Sequence, residues 1–137
     1  MDSERLRNVI RSWENTPYKR AVSEKDYGAS CLGFVFGVLK DFFNDTEPFP
    51  PLSYNDQKQL VQILKHAKTR WGYEEVAFVS VSALLPMDVL LSVSNSLHHV
   101  LILENIPRAW HTTPSGGVCP CSVFDYIPRR VFRCPTI

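Results

Sequence analysis

Apolar residues in the first half of the chain recur at helical spacing, whereas in the second half they alternate or run together in short blocks. Leu6, Val9, Ile10 and Trp13 share one face of a first helix that Asp2 or Ser3 can cap. "ENTPYK" ends that helix, because Pro17 disfavours the helical region for its predecessor, and a loop is expected from there to Gly28. "SCLGFVFGVLKDFF" predicts a second helix from Ser30 or Cys31 to Phe43. Within it Gly33 and Gly37, one turn apart, leave a smooth stripe for a closely approaching element. A Pro-rich connector, "DTEPFPPLSY", leads to a third helix that buries Leu60, Ile63, Leu64 and Ala67, and that Gly72 ends.

After Gly72 the texture changes. "EEVAFVSVS", "DVLLSVS", "HHVLILE", "RAWHTT", "GVCPCSV" and "RVFRC" are short, rich in β-formers and punctuated by Pro, Gly and Asn, which predicts a meander of antiparallel strands. Helices first and an antiparallel sheet second is the α+β pattern, and 137 residues fit a single domain over 1–137.

Charge narrows the function classes. With 15 Lys+Arg against 14 Asp+Glu, the formal net charge is +1, which offers no attraction to nucleic acid or an anionic membrane surface. Arg129, Arg130 and Arg133 read as a solvated edge. No apolar run approaches the ~18 residues of a membrane span, so no membrane insertion is expected. The start "MDSERLRNVI" lacks the pattern of a signal peptide, so the expectation is synthesis in the cytoplasm, with any export left to another agent.

The candidate chemistry lies in cysteines and histidines. Cys31 sits where a loop turns into a helix, where amide dipoles favour a thiolate. Cys119, Cys121 and Cys134 read as strand residues. The one-residue gap of "VCPC" and the lack of a second pair do not complete a zinc site, so neither metal nor cofactor is expected. Of the four histidines, His66 falls mid-helix beside Lys65 and Lys68 and reads as surface. If "HHVLILE" and "RAWHTT" form a hairpin turning about Asn105, His99 stands directly across from His111, and His98 points to the other face. A helix-start cysteine, a strand histidine and a polar residue on the next strand make a cysteine-hydrolase arrangement. Two strand histidines bonded to backbone are the plain alternative, and spacing leaves both open.

Six segments resemble, in order from Trp13 to Pro135, the motifs of the NlpC-type cysteine peptidases, and more closely their version in phage tail gene clusters and gene-transfer agents. They are "SWENTPYKR", "YGASCLGFVFGV", "LLPMDVLL", "HHVLIL", "AWHTTPSGGV" and "RRVFRCP". The resemblance implies a papain-like fold with N-terminal helices packed on a C-terminal antiparallel sheet. It implies Cys31 as nucleophile, His99 as base and His111 as the residue that orients it. Tyr18 and Ser30 become oxyanion or substrate-positioning residues. Three positions depart from the family pattern. Ser30 replaces an Asp that could hold a substrate ammonium, Met87 replaces a Gly, suggesting a different turn before Asp88, and Asn15 replaces a Gly near Tyr18.

The function so implied is a peptidoglycan endopeptidase acting on the stem peptide, between D-glutamate and a diamino acid. A place on a virion tail or baseplate, in contact with hub proteins, would bring it to the cell wall. Two other readings share the fold: a structural tail component with weak or no catalysis, and a secreted amidase effector.

Overall fold

Helix α1 (Ser3–Arg11) buries Leu6 and Ile10, as their spacing predicts, in the computed structural model, which describes residues 3–48, 51–94 and 97–134. Asp2, one of the two expected caps, lies outside the described residues. Trp13, just past the helix, is 4% exposed, stands edge-on to Phe34 and donates its indole N–H to Asp41 at 2.9 Å. Its ring occupies the space over Gly37 that a Cβ would fill, and the Val22 carbonyl does the same over Gly33. The glycine stripe is thus used on both turns, once by a side chain and once by backbone.

The expected loop before Gly28 is partly ordered by a two-stranded ribbon, β1 (Ser23–Glu24) and β2 (Gly28–Ala29). Tyr18 forms an isolated parallel bridge with Ala29 beside it, through Lys19 N–H to Ala29 O and Ala29 N–H to Pro17 O. Such short pairings leave no alternating apolar signal, so sequence alone gives a loop there.

Helix α2 (Cys31–Phe42) is buried almost all round, from Leu32 to Phe42. Helix α3 (Asp56–Trp71) is capped by the Asn55 side chain, which accepts from Lys58 N–H, and ends at Gly72. Gly72 takes the left-handed conformation (φ 75°) while its N–H and that of Tyr73 close on Lys68 and Ala67. His66 is half-buried rather than on the surface, because α3 turns it edge-on to Phe36, with ring centroids 6.1 Å apart.

Six strands form one antiparallel sheet: β3 (Glu74–Val76), β4 (Val89–Ser94), β5 (Leu97–Asn105), β6 (Arg108–Thr113), β7 (Gly117–Ser122) and β8 (Arg130–Arg133). β4 to β7 are the expected meander, but the full order is β3-β8-β4-β5-β6-β7. The closing strand returns and inserts between β3 and β4. Val131 and Phe132 point to opposite faces and are 1% and 7% exposed, so β8 needs a neighbour on each side and a covered surface above and below. "EEVAFVSVS" is strand only over β3. Pairing stops where β8 stops, and a 3-10 helix (Val81–Ala83) follows.

Both faces of the sheet are covered. Val89, Leu91, Val100, Ile102, Trp110 and Phe132 pack with the three helices. Leu90, Leu101, Leu103, Ala109 and Val131 form a second core with Leu84 and Val123. Double burial explains why "HVLIL" is a continuous apolar run instead of an alternation.

Two of the three clustered arginines are paired with carboxylates, which corrects the reading of a merely solvated edge. Arg130 makes a bidentate pair with Glu75 at 2.8 and 2.9 Å, and Arg133 makes one with fully buried Asp88 at 2.7 and 2.8 Å. Met87 has φ 73° and is 1% exposed, so the turn before Asp88 is left-handed at a buried non-glycine residue, a conformation that glycine adopts more easily. Asn15 is left-handed too, at φ 68°, a conformation asparagine tolerates.

Candidate active site

His99 and His111 meet. The Nε2 of His99 lies 2.6 Å from the Nδ1 of His111, with ring centroids 4.8 Å apart at 71°. The register that brings them together differs from the expected one by two residues. Ile102 pairs with Trp110 and Leu103 with Ala109, so His111 stands across from position 101 and His99 reaches it diagonally. The turn sits at Ile106–Pro107 instead of about Asn105, and a bulge between Leu103 and Asn105 absorbs the irregularity. A shift of two preserves the face, which is why the pairing survives; a shift of one would have separated the rings. The side chain of His98 lies outside the described residues.

Burial holds both imidazoles towards their neutral forms. It lowers the pKa of His99, and with a smaller contribution from the charge of His99 it brings His111 down to about 4. His111 is 4% exposed. This neutrality has a consequence for folding. Unfolded His111 titrates near 6.5 and takes up a proton that the folded residue refuses, so stability falls as pH drops from that value towards about 4. The fold is expected to be about 2 kcal/mol less stable at about pH 5 than at about pH 7 on this account. Urea unfolding at the two pH values measures the loss, and His111→Gln should remove most of it.

Cys31 is the first residue of α2 and is half-exposed at the edge of the helix-side core. Ser30 caps that helix: its hydroxyl accepts from Gly33 N–H at 3.0 Å and donates to Gln59 Oε1 at 3.1 Å. At 5% exposed, Ser30 has its hydroxyl spent inside the fold, where it fixes the turn that presents Cys31. Gln59, itself 2% exposed, is a partner on α3 that sequence spacing does not reveal.

A chain of backbone contacts ties this helix start to the histidine end of the sheet. Ala29, two residues before Cys31, is bridged to Tyr18, and Thr16 and Asn15 exchange hydrogen bonds with Val118 on β7. Gly117, at φ 64°, lets the Thr16 carbonyl approach where a side chain would collide. Cys119, the next residue but one, stands directly across from His111. Tyr18 is 36% exposed on this bridge. Burial raises the thiol pKa of Cys119, and burial, then Cys119 and Asp125, pushes Cys121 up to about 12. Cys134 is buried and donates to the Trp71 carbonyl.

Sequence reasoning missed one neighbour of the pair. Tyr126, just after a 3-10 helix (Val123–Asp125), places its ring 5.0 Å from His99 and 5.1 Å from His111, centroid to centroid. No motif or periodicity marks it.

No protein-family model matches the chain, and no curated protein matches it. Solved structures do. The NlpC/p60 domain of the peptidoglycan hydrolase SagA superposes with a TM-score of 0.64 at 18% identity, over 97% of this chain and 99% of that one. A lipoprotein-like member of the NLP/P60 family from Staphylococcus aureus gives 0.60 at 15% identity, over 96% of this chain and 41% of that one. The helices, the antiparallel sheet and their order of packing thus identify the chain as an α+β domain with the NlpC/p60 fold.

Proposed function

We propose that the protein is a cell-wall hydrolase that cleaves peptidoglycan stem peptides with Cys31 as nucleophile, His99 as base and His111 as its orienting partner. The observation that carries the reading is the 2.6 Å contact between His99 Nε2 and His111 Nδ1. With the proton on His99 Nε2, that contact leaves His99 Nδ1 as an acceptor, the atom a thiol needs. By strand alternation the pair shares a face with Leu101 and Ala109. On this reading Cys31, the first residue of α2, must present its thiol to His99 Nδ1.

Burial works against a resting imidazolium at His99, so the proton leaves Cys31 as the thiol attacks the amide carbon. The oxyanion then forms at the start of α2, with the Cys31 amide and Tyr18 as stabilising donors. His99 returns the proton to the leaving amine as the C–N bond breaks, and water hydrolyses the thioester to free the acid and Cys31. The peptidoglycan substrate is supported by what the similar SagA domain is named for.

The finer reading, cleavage between D-glutamate and a diamino acid by an enzyme carried on a phage tail or baseplate, rests on the order of the six motif segments. Incubation with purified peptidoglycan and mass spectrometry of the released fragments tests the hydrolase and identifies the bond. Absence of products with every wall type would sink it. Purified particles from a producing strain test the tail: they should contain the chain in a low fixed copy number.

Thiol chemistry offers a separate check. Cys31 is expected to alkylate first with iodoacetamide near neutral pH, since burial raises the other two strand thiols and Cys134 is buried. Peptide mapping after a brief pulse reads the order, and faster labelling of Cys119 would count against the assignment.

A further inference from the structure

Three rings form a closed triangle at the histidine end of the sheet. His99 to His111 is 4.8 Å, His99 to Tyr126 is 5.0 Å and His111 to Tyr126 is 5.1 Å between centroids. The third ring comes from neither strand of the pair. Its position is set by the 3-10 helix after β7, where Ser122 Oγ accepts from Phe124 N–H, Val123 is fully buried and Tyr126 N–H closes on Val123 O. Tyr126 also packs on the second hydrophobic core, so it is held from that side as well as by the turn.

We propose that Tyr126 is a positioning residue for the His99–His111 pair, its ring excluding water from their hydrogen bond and blocking rotation of the His99 imidazole. The inference rests on the catalytic reading of that pair. An imidazole turns about two bonds, and a single hydrogen bond to another imidazole leaves water free to compete for the same nitrogen. A ring against both partners removes that competitor and the space for His99 to turn. Its packing is tilted on His99 (41°) and edge-on to His111 (69°), geometries that aromatic pairs favour.

Each element around the pair contributes identifiable groups. β4 sets Ser92 across from His99, β7 sets Cys119 across from His111 with Cys121 on the same face, and the 3-10 helix contributes Asp125 near Cys121. Burial lowers both histidines, the charge of His99 adds to the lowering at His111, and the Tyr126 ring lies against both.

The test compares Tyr126→Phe, Tyr126→Leu and Tyr126→Ala by peptidoglycan hydrolysis and by NMR titration of the imidazoles in a Cys31→Ser background. Phe keeps the ring and should retain kcat within about twofold. Ala should lower kcat about tenfold with KM nearly unchanged, and should move the His111 midpoint up from about 4 towards 6.5. Leu should fall between them and stay folded. The proposal is overturned if the Ala variant titrates like the parent, if Phe is as impaired as Ala, or if Leu restores both readouts fully. Should the parent hydrolyse nothing, the catalytic reading fails on its own, and the titration still decides whether Tyr126 shields the pair.

Discussion

His99→Ala is expected to reduce peptidoglycan hydrolysis by at least about a thousandfold while the protein stays folded, because the only proposed acceptor for the Cys31 proton is gone. Among the described residues the hydrogen bond of His99 Nε2 is the one to His111 Nδ1, so alanine leaves that nitrogen to water and does not strand a charge. His98→Ala should keep most of the rate. The β4–β5 register sets Ser92 against His99, and the alternation read from the sequence assigns the catalytic face to His99 and not to its neighbour. His111→Ala should cost less than His99→Ala, since it removes orientation and not the base. Initial rates on purified peptidoglycan, with thermal melts for each variant, measure this. Loss in His98→Ala with retention in His99→Ala would reverse the assignment of the base.

Asp88→Ala is expected to destabilise the domain by about 2–4 kcal/mol without lowering kcat at temperatures where the variant is folded. The Asp88 side chain is fully buried, accepts two bonds from Arg133 and accepts the Leu85 N–H at 2.8 Å. Alanine leaves the Leu85 amide and the guanidinium short of partners at once. Arg133 is 28% exposed, so water recovers part of its solvation, which keeps the loss below that of a wholly buried pair. The reciprocal change, Arg133→Met, strands a carboxylate with no exposure and should cost at least as much. The double variant should be less destabilised than the sum of the two. Urea unfolding of the four proteins closes the cycle, and additive losses would show that the pair is not coupled.

The helices were legible because each buries a face whose period shows in the residues. Leu6 and Ile10 on α1, and Leu60, Ile63 and Ala67 on α3, lie where their spacing puts them, and Gly72 ends α3 in the conformation glycine favours. The start of α2 at Ser30 or Cys31 was legible too, and the structure makes Ser30 its cap, an interaction that spans only a few residues. The strands of the sheet were legible as elements but not as an arrangement. Nothing in "RVFRC" says that β8 lies between β3 and β4, because that choice depends on which faces remain uncovered after the rest of the sheet has formed.

The histidine pair divides the same way. Sequence by itself determined that His99 and His111 lie on adjacent antiparallel strands and on one face, since alternation is a local property and a register error of two residues leaves it intact. Only the tertiary structure decided that they meet diagonally, that the Ser30 hydroxyl donates to Gln59, and that Tyr126 closes over both rings. Those contacts join residues separated by a bulge, by the connector between α2 and α3, and by a turn after β7. Their geometry follows from how the sheet and helices bury one another, and no local rule of spacing, capping or periodicity reaches across such distances.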